Sequence, residues 1–220
     1  MADIDFLTSK TKYCASWNAT DQESGILKSE ISVCAEINRK SCLANSIDVG
    51  NRSLICMSNL APVPGVRYIT TVSVTNMVGL TTSVDSDGFT LDFAPPVSGK
   101  VSVGNMSSDV ENPSNIFASS VIAASWSGFW DKETAIMKYH VCLGNHSSSC
   151  EAADWEDVGR STEYTFKNID LQSDGTYYVS VVAENQAGLK SAVESSQGIY
   201  IDKTGKVTHY YSAAIETGAT

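Results

Sequence analysis

Six cysteines are the residues of this sequence with the clearest chemistry, since thiols can form disulfides or bind zinc. Two pairs, Cys34 with Cys42 and Cys142 with Cys150, have the same separation of eight positions, and each follows a hydrophobic, strand-like run. We expect each pair to close a hairpin loop as a disulfide, which contributes about 2.5 kcal/mol on the chain-entropy account.

The other two cysteines, Cys14 and Cys56, occur only in the first of two similar halves of the chain. When the halves are aligned on their first tryptophans, Ala123 and Thr165 stand where these cysteines would be. The absence of both cysteines together is typical of a disulfide-bonded pair, because a single remaining cysteine would be a free thiol in an oxidising compartment. Zinc is the alternative, but the spacing differs from short zinc knuckles, and the second half has no matching ligand set. Three disulfides are therefore predicted.

Acidic residues recur at one place in both halves, as Asp21-x-Glu23 and Asp131-x-Glu133. Carboxylates one residue apart in a turn can share a hard cation, which makes these four residues calcium candidates. The alternative is that they cap and solvate turns, as Asp commonly does. No EF-hand pattern supports the calcium interpretation.

Catalytic chemistry is not indicated by the remaining residues. The three histidines, at positions 140, 146 and 209, are scattered, and no nucleophile elbow, zinc-protease motif or phosphate-binding glycine loop is present. His140 falls on the outward phase of a strand and is expected to be exposed. We expect no enzyme and no cofactor.

Charge and glycosylation motifs suggest the compartment. The formal net charge of −10 argues against nucleic-acid binding, which needs clustered Lys and Arg. No apolar run reaches the roughly 18 residues of a membrane helix, so no membrane insertion is expected within this sequence. Four Asn-x-Ser/Thr acceptors fall in predicted loops or strand edges, and with the cysteines they predict an extracellular chain. They are Asn18, Asn51, Asn105 and Asn145.

Two tryptophans, Trp130 and Trp155, are placed in predicted loops. Flat rings at the edge of a β-sandwich can stack on sugars or contact proteins, so both are possible ligand contacts. They could instead cover the open end of a sandwich, and we favour that interpretation.

One repeated stretch of the sequence predicts the strands that carry these residues. In residues 175–189, alternate side chains from Tyr177 onward are apolar, and residues 65–80 repeat the pattern from Tyr68. A period of two predicts strands, and the following Asn-x-x-Gly-Leu predicts a hairpin turn. Seven or so short strands per roughly 100 residues describe an antiparallel β-sandwich.

Each half resembles a fibronectin type III module in these landmarks: a tryptophan on the second strand, Trp17 or Trp126, and a glycine before a corner tyrosine. The resemblance implies an all-β chain of two tandem immunoglobulin-like, antiparallel sandwiches. Trp17, Trp126, Tyr68 and Tyr177 are then structural, and each tyrosine hydroxyl is expected to bond a nearby backbone carbonyl.

Domain limits follow from the prolines and the repeat. Paired prolines after Phe93 end a strand, so the first module is assigned to residues 3–93 and the second to residues 94–203. Residues 204–220 begin with Thr-Gly-Lys-Val, which matches Ser98-Gly-Lys-Val101, and are assigned to the start of a third module or a linker.

The expected function is that of a structural or adhesion segment within a large extracellular multi-repeat protein, acting as spacer and protein-interaction module. Its expected partners are extracellular or cell-surface proteins. The alternative is a carbohydrate-binding accessory module of a secreted enzyme or matrix protein, with glycans as partners.

Overall fold

The computed structural model describes residues 5–8, 12–103, 121–172, 175–201 and 207–209. These residues contain strands, turns and loops and no helix. They divide into two compact units, the first mainly Met1–Ala94 and the second Pro95–Asp131 with Ala135–Thr220. The predicted all-β, immunoglobulin-like architecture is confirmed.

The first unit has a larger and a smaller sheet. In the larger sheet the strand order is β1-β8-β6-β3-β4, with β7 also paired to β6, whereas the smaller sheet is β2-β5. All pairings are antiparallel except that of β1 with β8. The strands are β1 (Phe6–Leu7), β2 (Tyr13–Ser16), β3 (Ile26–Ala35), β4 (Cys42–Asp48), β5 (Leu54–Met57), β6 (Arg67–Asn76), β7 (Thr81–Asp85) and β8 (Phe89–Leu91).

The second unit repeats this plan with two differences, which are the sheet that its first strand joins and the strand that lies outermost in its larger sheet. Its larger sheet has the order β12-β11-β14-β16-β17, with β15 also on β14, and its smaller sheet has three strands, β13-β10-β9. The strands are β9 (Lys100–Val103), β10 (Val121–Ser127), β11 (Ile136–Gly144), β12 (Ala153–Asp157), β13 (Glu163–Lys167), β14 (Gly175–Asn185), β15 (Glu194–Ser195), β16 (Ile199–Ile201) and β17 (Val207–His209).

The core of each unit lies between its two sheets and is supplied by alternate residues of the long central strands. In β6 the buried apolar residues include Tyr68, Val72 and Val74, and β3 contributes Ile31 and Val33. The second unit buries the corresponding faces of β14 and β11. The alternation therefore predicted correctly which side chains of β6 and β14 face inward, because each strand packs one face on the core.

Three of the strands that the sequence alternation did not delimit have few buried apolar side chains. They are β4, β7 and β12, which lie at or near the sheet edges and leave most of their side chains in water. Such strands lack the apolar alternation on which the prediction relied. Placing Trp155 in a loop was consequently wrong, because it is part of the edge strand β12.

The two equally spaced cysteine pairs do not occupy equivalent positions. Cys34 lies directly opposite Cys42 across the β3–β4 hairpin, with 3.9 Å between their Cα atoms. Judged by the residues that they face on β6 and β14, Cys142 lies two positions earlier on its strand than Cys34 does. Its partner, Cys150, is in the loop before β12. Equal spacing could not reveal this shift, because bulges alter the register locally.

The corner tyrosines are buried in both units, but their hydroxyl groups act as acceptors. The backbone N–H of Val63 donates to Tyr68 Oη at 3.0 Å, and that of Gln172 donates to Tyr177 Oη at 2.7 Å. The bond that the structure describes is thus with a backbone N–H, and donation by the hydroxyl to a carbonyl stays a prediction. Each donor lies five residues before its tyrosine, so the hydroxyl satisfies a loop N–H that burial would otherwise leave without water.

Candidate functional site

The disulfide between Cys14 and Cys56 holds the two strands of the first unit's smaller sheet together. The two residues face each other directly on β2 and β5, and their Cα atoms are 4.1 Å apart. In the second unit, Ala123 and Thr165 form the corresponding pair on β10 and β13. The bond is therefore a specific addition to the first unit, and with the other two it gives the three disulfides of the chain.

The first acidic turn is built around the carboxylate of Asp21. Its Oδ1 accepts from the backbone N–H groups of Glu23, Ser24 and Gly25, at 3.1, 2.7 and 3.2 Å. Its Oδ2 accepts from Asn76 Nδ2 at 3.0 Å. Donation by Asn76, followed by the turn's N–H groups, lowers the pKa of Asp21 to about 2, because these bonds favour the charged form.

Asp131 repeats this arrangement in the second unit. Its Oδ2 accepts from Asn185 Nδ2 at 3.1 Å. The amide oxygen of each asparagine in turn accepts backbone N–H groups of the hairpin that follows, those of Val78 and Leu80 in one unit and that of Leu189 in the other. The asparagines were predicted as turn residues only. Recurrence of Asp and Asn at matching places in both halves is the sequence signal that indicates the pairing.

The structure shows where the glutamates among the calcium candidates lie. Glu23 is exposed and contributes its backbone N–H to the Asp21 turn, and Glu133 lies in the bend after Asp131. Within the described part of the first unit, Asp21 and Glu23 do not gather with a third metal-ligating side chain. Capping of the turn is what the structure shows for Asp21, and calcium binding stays a prediction.

The Asp–Asn pair of the first unit supports an exposed apolar hairpin tip, which we define as Met77, Val78 and Leu80. The side chains of these residues are 60%, 69% and 70% exposed. Beneath them, Asn76 fixes the turn through Val78 and Leu80, and Met77 N–H donates to the carbonyl of Gly25 at 3.1 Å. A fixed cluster of exposed apolar side chains is a typical protein-contact feature.

Trp130 and Trp155 remain open to water, with exposed fractions of 52% and 43%. Trp130 forms an isolated antiparallel bridge with Val97, whereas Trp155 lies between Asp154 and Glu156 on the edge strand β12. Their exposure speaks against the covering role that we favoured for them. Both are accessible to a ligand, and ligand contact stays a prediction.

Three of the four glycosylation acceptors, Asn18, Asn51 and Asn145, are exposed and lie outside the strands. A glycan at any of them would extend into solvent without displacing core residues. Asn105 lies outside the described residues, as do most of residues 204–220.

A cluster of ionisable side chains covers the outer face of the second unit's larger sheet. His140 Nε2 and Glu184 Oε2 are 2.7 Å apart, and each side chain is only 16% exposed. Lys138 binds Asp157 at 2.8 Å, and this bond raises the pKa of Lys138. His140 lies on the outward face of its strand as expected, but it is only partly exposed because long neighbouring side chains cover it.

Sequence comparison identifies no relative: no protein-family profile matches the chain, and no curated protein matches it. Comparison of structures finds chains of similar fold. Domains A168–A170 from titin share 16% identity over 91% of this chain and 62% of theirs, with a TM-score of 0.56. The FN1–FN3 domains of chicken CNTN1 share 18% identity over 91% and 65%, with a TM-score of 0.48. Fibronectin(III)-like modules of CbhA from Clostridium thermocellum share 13% over 94% of both chains, with a TM-score of 0.43.

The chain spans less than two thirds of the length of the first two of these structures. Taken with the sheet order of each unit, the likeness to the titin domains shows two tandem antiparallel sandwiches of immunoglobulin-like fold. The resemblance expected from the sequence is confirmed at the level of fold. No helix in the described residues is long and apolar enough to cross a membrane.

Proposed function

We propose that the chain is a non-enzymatic segment of a larger extracellular protein, in which two tandem modules act as a spacer and as a surface for protein interaction. The observation that carries this proposal is that each unit is a separate sandwich with its own disulfide bonding. Disulfides persist in oxidising compartments, which supports an extracellular or ectodomain location. Exposed glycosylation acceptors at Asn18, Asn51 and Asn145 agree with it.

The interaction surface is the apolar tip of the first unit. Met77, Val78 and Leu80 expose apolar area on a hairpin that Asn76 and Asp21 hold in place. A preorganised contact loses less conformational entropy on binding than a mobile loop does. At the matching turn of the second unit, Gln186 and Ala187 replace Met77 and Val78, so the apolar tip is specific to the first unit.

Binding to purified cell-surface and matrix proteins, with the chain immobilised, tests this function. Replacing all three tip residues by serine should weaken a saturable interaction by about tenfold, equivalent to about 1.4 kcal/mol. The control is Met137→Ser with Val193→Ser, which removes exposed apolar side chains elsewhere. Absence of saturable protein binding, or equal loss in control and tip variants, would contradict the proposal.

Carbohydrate binding is the second candidate, favoured by the exposure of Trp130 and Trp155 in one unit. Indole rings stack on the apolar faces of sugars, and their exposure is what such a site needs. A glycan array separates the candidates. Saturable glycan binding that is lost in Trp130→Ala or Trp155→Ala, and retained in the tip variant, would favour this second function.

A further inference from the structure

Trp155 shares one face of the second unit with a charged pair. Trp155 and Asp157 lie two positions apart on β12, whose last four residues are exposed. Alternate residues of a strand point to the same face and are about 7 Å apart, so the indole and the carboxylate are neighbours there. Asp157 lies opposite His140 of β11, and Lys138 Nζ is 2.8 Å from Asp157 Oδ2. An accessible aromatic ring therefore lies beside a partly exposed ion pair.

The ion pair is held in place and keeps hydrogen-bonding capacity. Asp157 Oδ1 accepts from the backbone N–H of Gly159 at 2.9 Å, and Oδ2 accepts from Lys138. Each carboxylate oxygen has a second lone pair, and the ammonium group has three N–H donors. The bond from Lys138, followed by that from Gly159, lowers the pKa of Asp157, so its carboxylate is charged at neutral pH. The pair can thus accept one further hydrogen bond and donate another.

A sugar ring matches this combination of groups. The C–H groups of a hexopyranose pack on the electron-rich face of an indole, and its hydroxyl groups project from the rim of the ring. Trp155 is 43% exposed, which leaves ring surface open to a ligand. The spacing of about 7 Å to the next residue on this face is about the width of a hexopyranose with its hydroxyl groups.

The charges of this face favour a neutral sugar. Lys190 Nζ lies 3.7 Å from Glu184 Oε2, and Lys138 Nζ lies 3.9 Å from Glu184 Oε1. With Asp157 this gives two lysines and two carboxylates, whose formal charges cancel when His140 is neutral. A balanced face does not attract amino sugars or sulfated sugars by net charge, and the formal net charge of −10 on the chain repels anionic glycans.

The first unit lacks the ring at the matching place. By the register of the central strands, Glu30 is the counterpart of His140, and Asp48, which lies opposite Glu30, is the counterpart of Asp157. Two positions before Asp48 the first unit has Ser46 in place of a tryptophan. The combination of ring and carboxylate is therefore specific to the second unit.

We propose that Trp155, Asp157 and Lys138 bind a neutral hexopyranose. The sugar ring stacks on the indole, and two neighbouring hydroxyl groups bridge the ion pair. One hydroxyl donates to Asp157 and the other accepts from Lys138, as charge-assisted hydrogen bonds. The site rests on the second candidate function, carbohydrate binding, and is separate from the apolar tip.

Isothermal titration of the full chain with neutral saccharides tests the site. The probes are cellotetraose, for structural polysaccharides, and α-linked mannobiose, for mannose-rich glycans of glycoproteins. At least one should bind saturably, with a Kd of about 1 mM, because one ring and one ion pair offer few contacts. A glucosamine tetramer, which is the cationic analogue of cellotetraose, and a heparin tetrasaccharide should bind at least about fivefold more weakly.

Three variants assign the contacts. Trp155→Ser gives the second unit the residue that the first unit has at this place, and should weaken binding at least about tenfold. Asp157→Asn removes the charge at nearly constant shape and should weaken binding about threefold, because its bond to the sugar is no longer charge-assisted. Asp48→Asn is the matched control in the first unit and should bind within about twofold.

The indole N–H resonance of Trp155 in the unchanged chain gives a measurement that no variant's folding affects. The resonance is assigned by its absence from the spectrum of Trp155→Ser. Neutral saccharide should shift it more than the indole resonances of the other tryptophans, of which the chain has four in all.

Three results would overturn this site. They are no saturable binding of either neutral probe, equal or tighter binding of a charged tetrasaccharide, and binding that is lost in Trp130→Ala but retained in Trp155→Ser. The last would keep carbohydrate binding and move it to the other exposed tryptophan. Because saccharide binding is measured without a protein partner, its failure is distinguishable from a failure of the apolar tip.

Discussion

The two units share their central strands and differ at the edge of the smaller sheet. In the described part of the first unit this sheet has two strands, which the disulfide between Cys14 and Cys56 joins. In the second it has three strands, and the corresponding positions hold Ala123 and Thr165. An isolated pair of strands is marginally stable, so a third strand or a covalent link is needed to hold it. The disulfide and β9 are thus alternative solutions to one problem.

Apolar burial differs in the same place. Val101 and Val103 extend the core of the second unit over Trp126, whereas the first unit leaves a groove beside Trp17. The core of the second unit therefore extends further over its tryptophan than the described part of the first unit does.

Removing the disulfide of the first unit should give the largest effect. In the full chain, Cys14→Ala with Cys56→Ala should destabilise this unit by about 4 kcal/mol, since the bond closes a loop with a sequence separation of 42. Denaturant-dependent hydrogen exchange, followed on peptides from each unit, measures this. Exchange in the second unit should be unchanged.

The reciprocal variant tests whether β9 holds the second unit's smaller sheet as the disulfide holds that of the first unit. Ala123→Cys with Thr165→Cys places a disulfide at the matching pair of the second unit, where β9 already holds the strands. Its gain should be well below the loss in the first unit, because engineered disulfides commonly give less than chain entropy predicts. Equal and opposite changes would show that the third strand does not substitute for the bond.

Most of the shared architecture was predictable from local pattern. Alternation from Tyr68 and Tyr177 gave the central strands, and the joint absence of two cysteines pointed to a bonded pair. These features depend on residues close in sequence or on the repeat itself. Fold class followed because short alternating strands with turns between them admit few architectures.

The features that distinguish the units were not predictable from such patterns. Nothing in Phe6–Leu7 indicates that β1 pairs with β8 rather than beside β2, because a two-residue strand carries too little pattern to select a partner. The bonds of Asp21 to Asn76 and of Asp131 to Asn185 join residues more than 50 positions apart. Both depend on tertiary contacts, which local propensity does not encode.

The tyrosine corners should respond alike in the two units, because both hydroxyl groups accept a loop N–H. Tyr68→Phe and Tyr177→Phe should each destabilise their own unit by about 1 kcal/mol, the typical net value of one hydrogen bond. Unit-specific hydrogen exchange again measures this. A loss confined to one unit would mean that the corners are not equivalent, despite their matching geometry.

The smallest effect is expected in acid and concerns the turn at Asp21. Its folded pKa of about 2 lies below its ordinary value of 3.8, so its charge stabilises the folded first unit above about pH 4. That stabilisation is lost as the pH falls toward 2. Asp21→Asn should therefore reduce the loss of stability of the first unit between pH 4 and pH 2. The acid sensitivity of the second unit should be unchanged.

Glu23→Gln is the matched control for this turn, because Glu23 contributes its backbone N–H rather than its carboxylate. Denaturant midpoints measured in steps from pH 6 to pH 2, with exchange assigned to each unit, distinguish the two variants. If Asp21→Asn and the unchanged chain lost stability in parallel over this range, the Asn76 bond would not set the pH response. The acid sensitivity of the first unit would then come from carboxylates outside the turn.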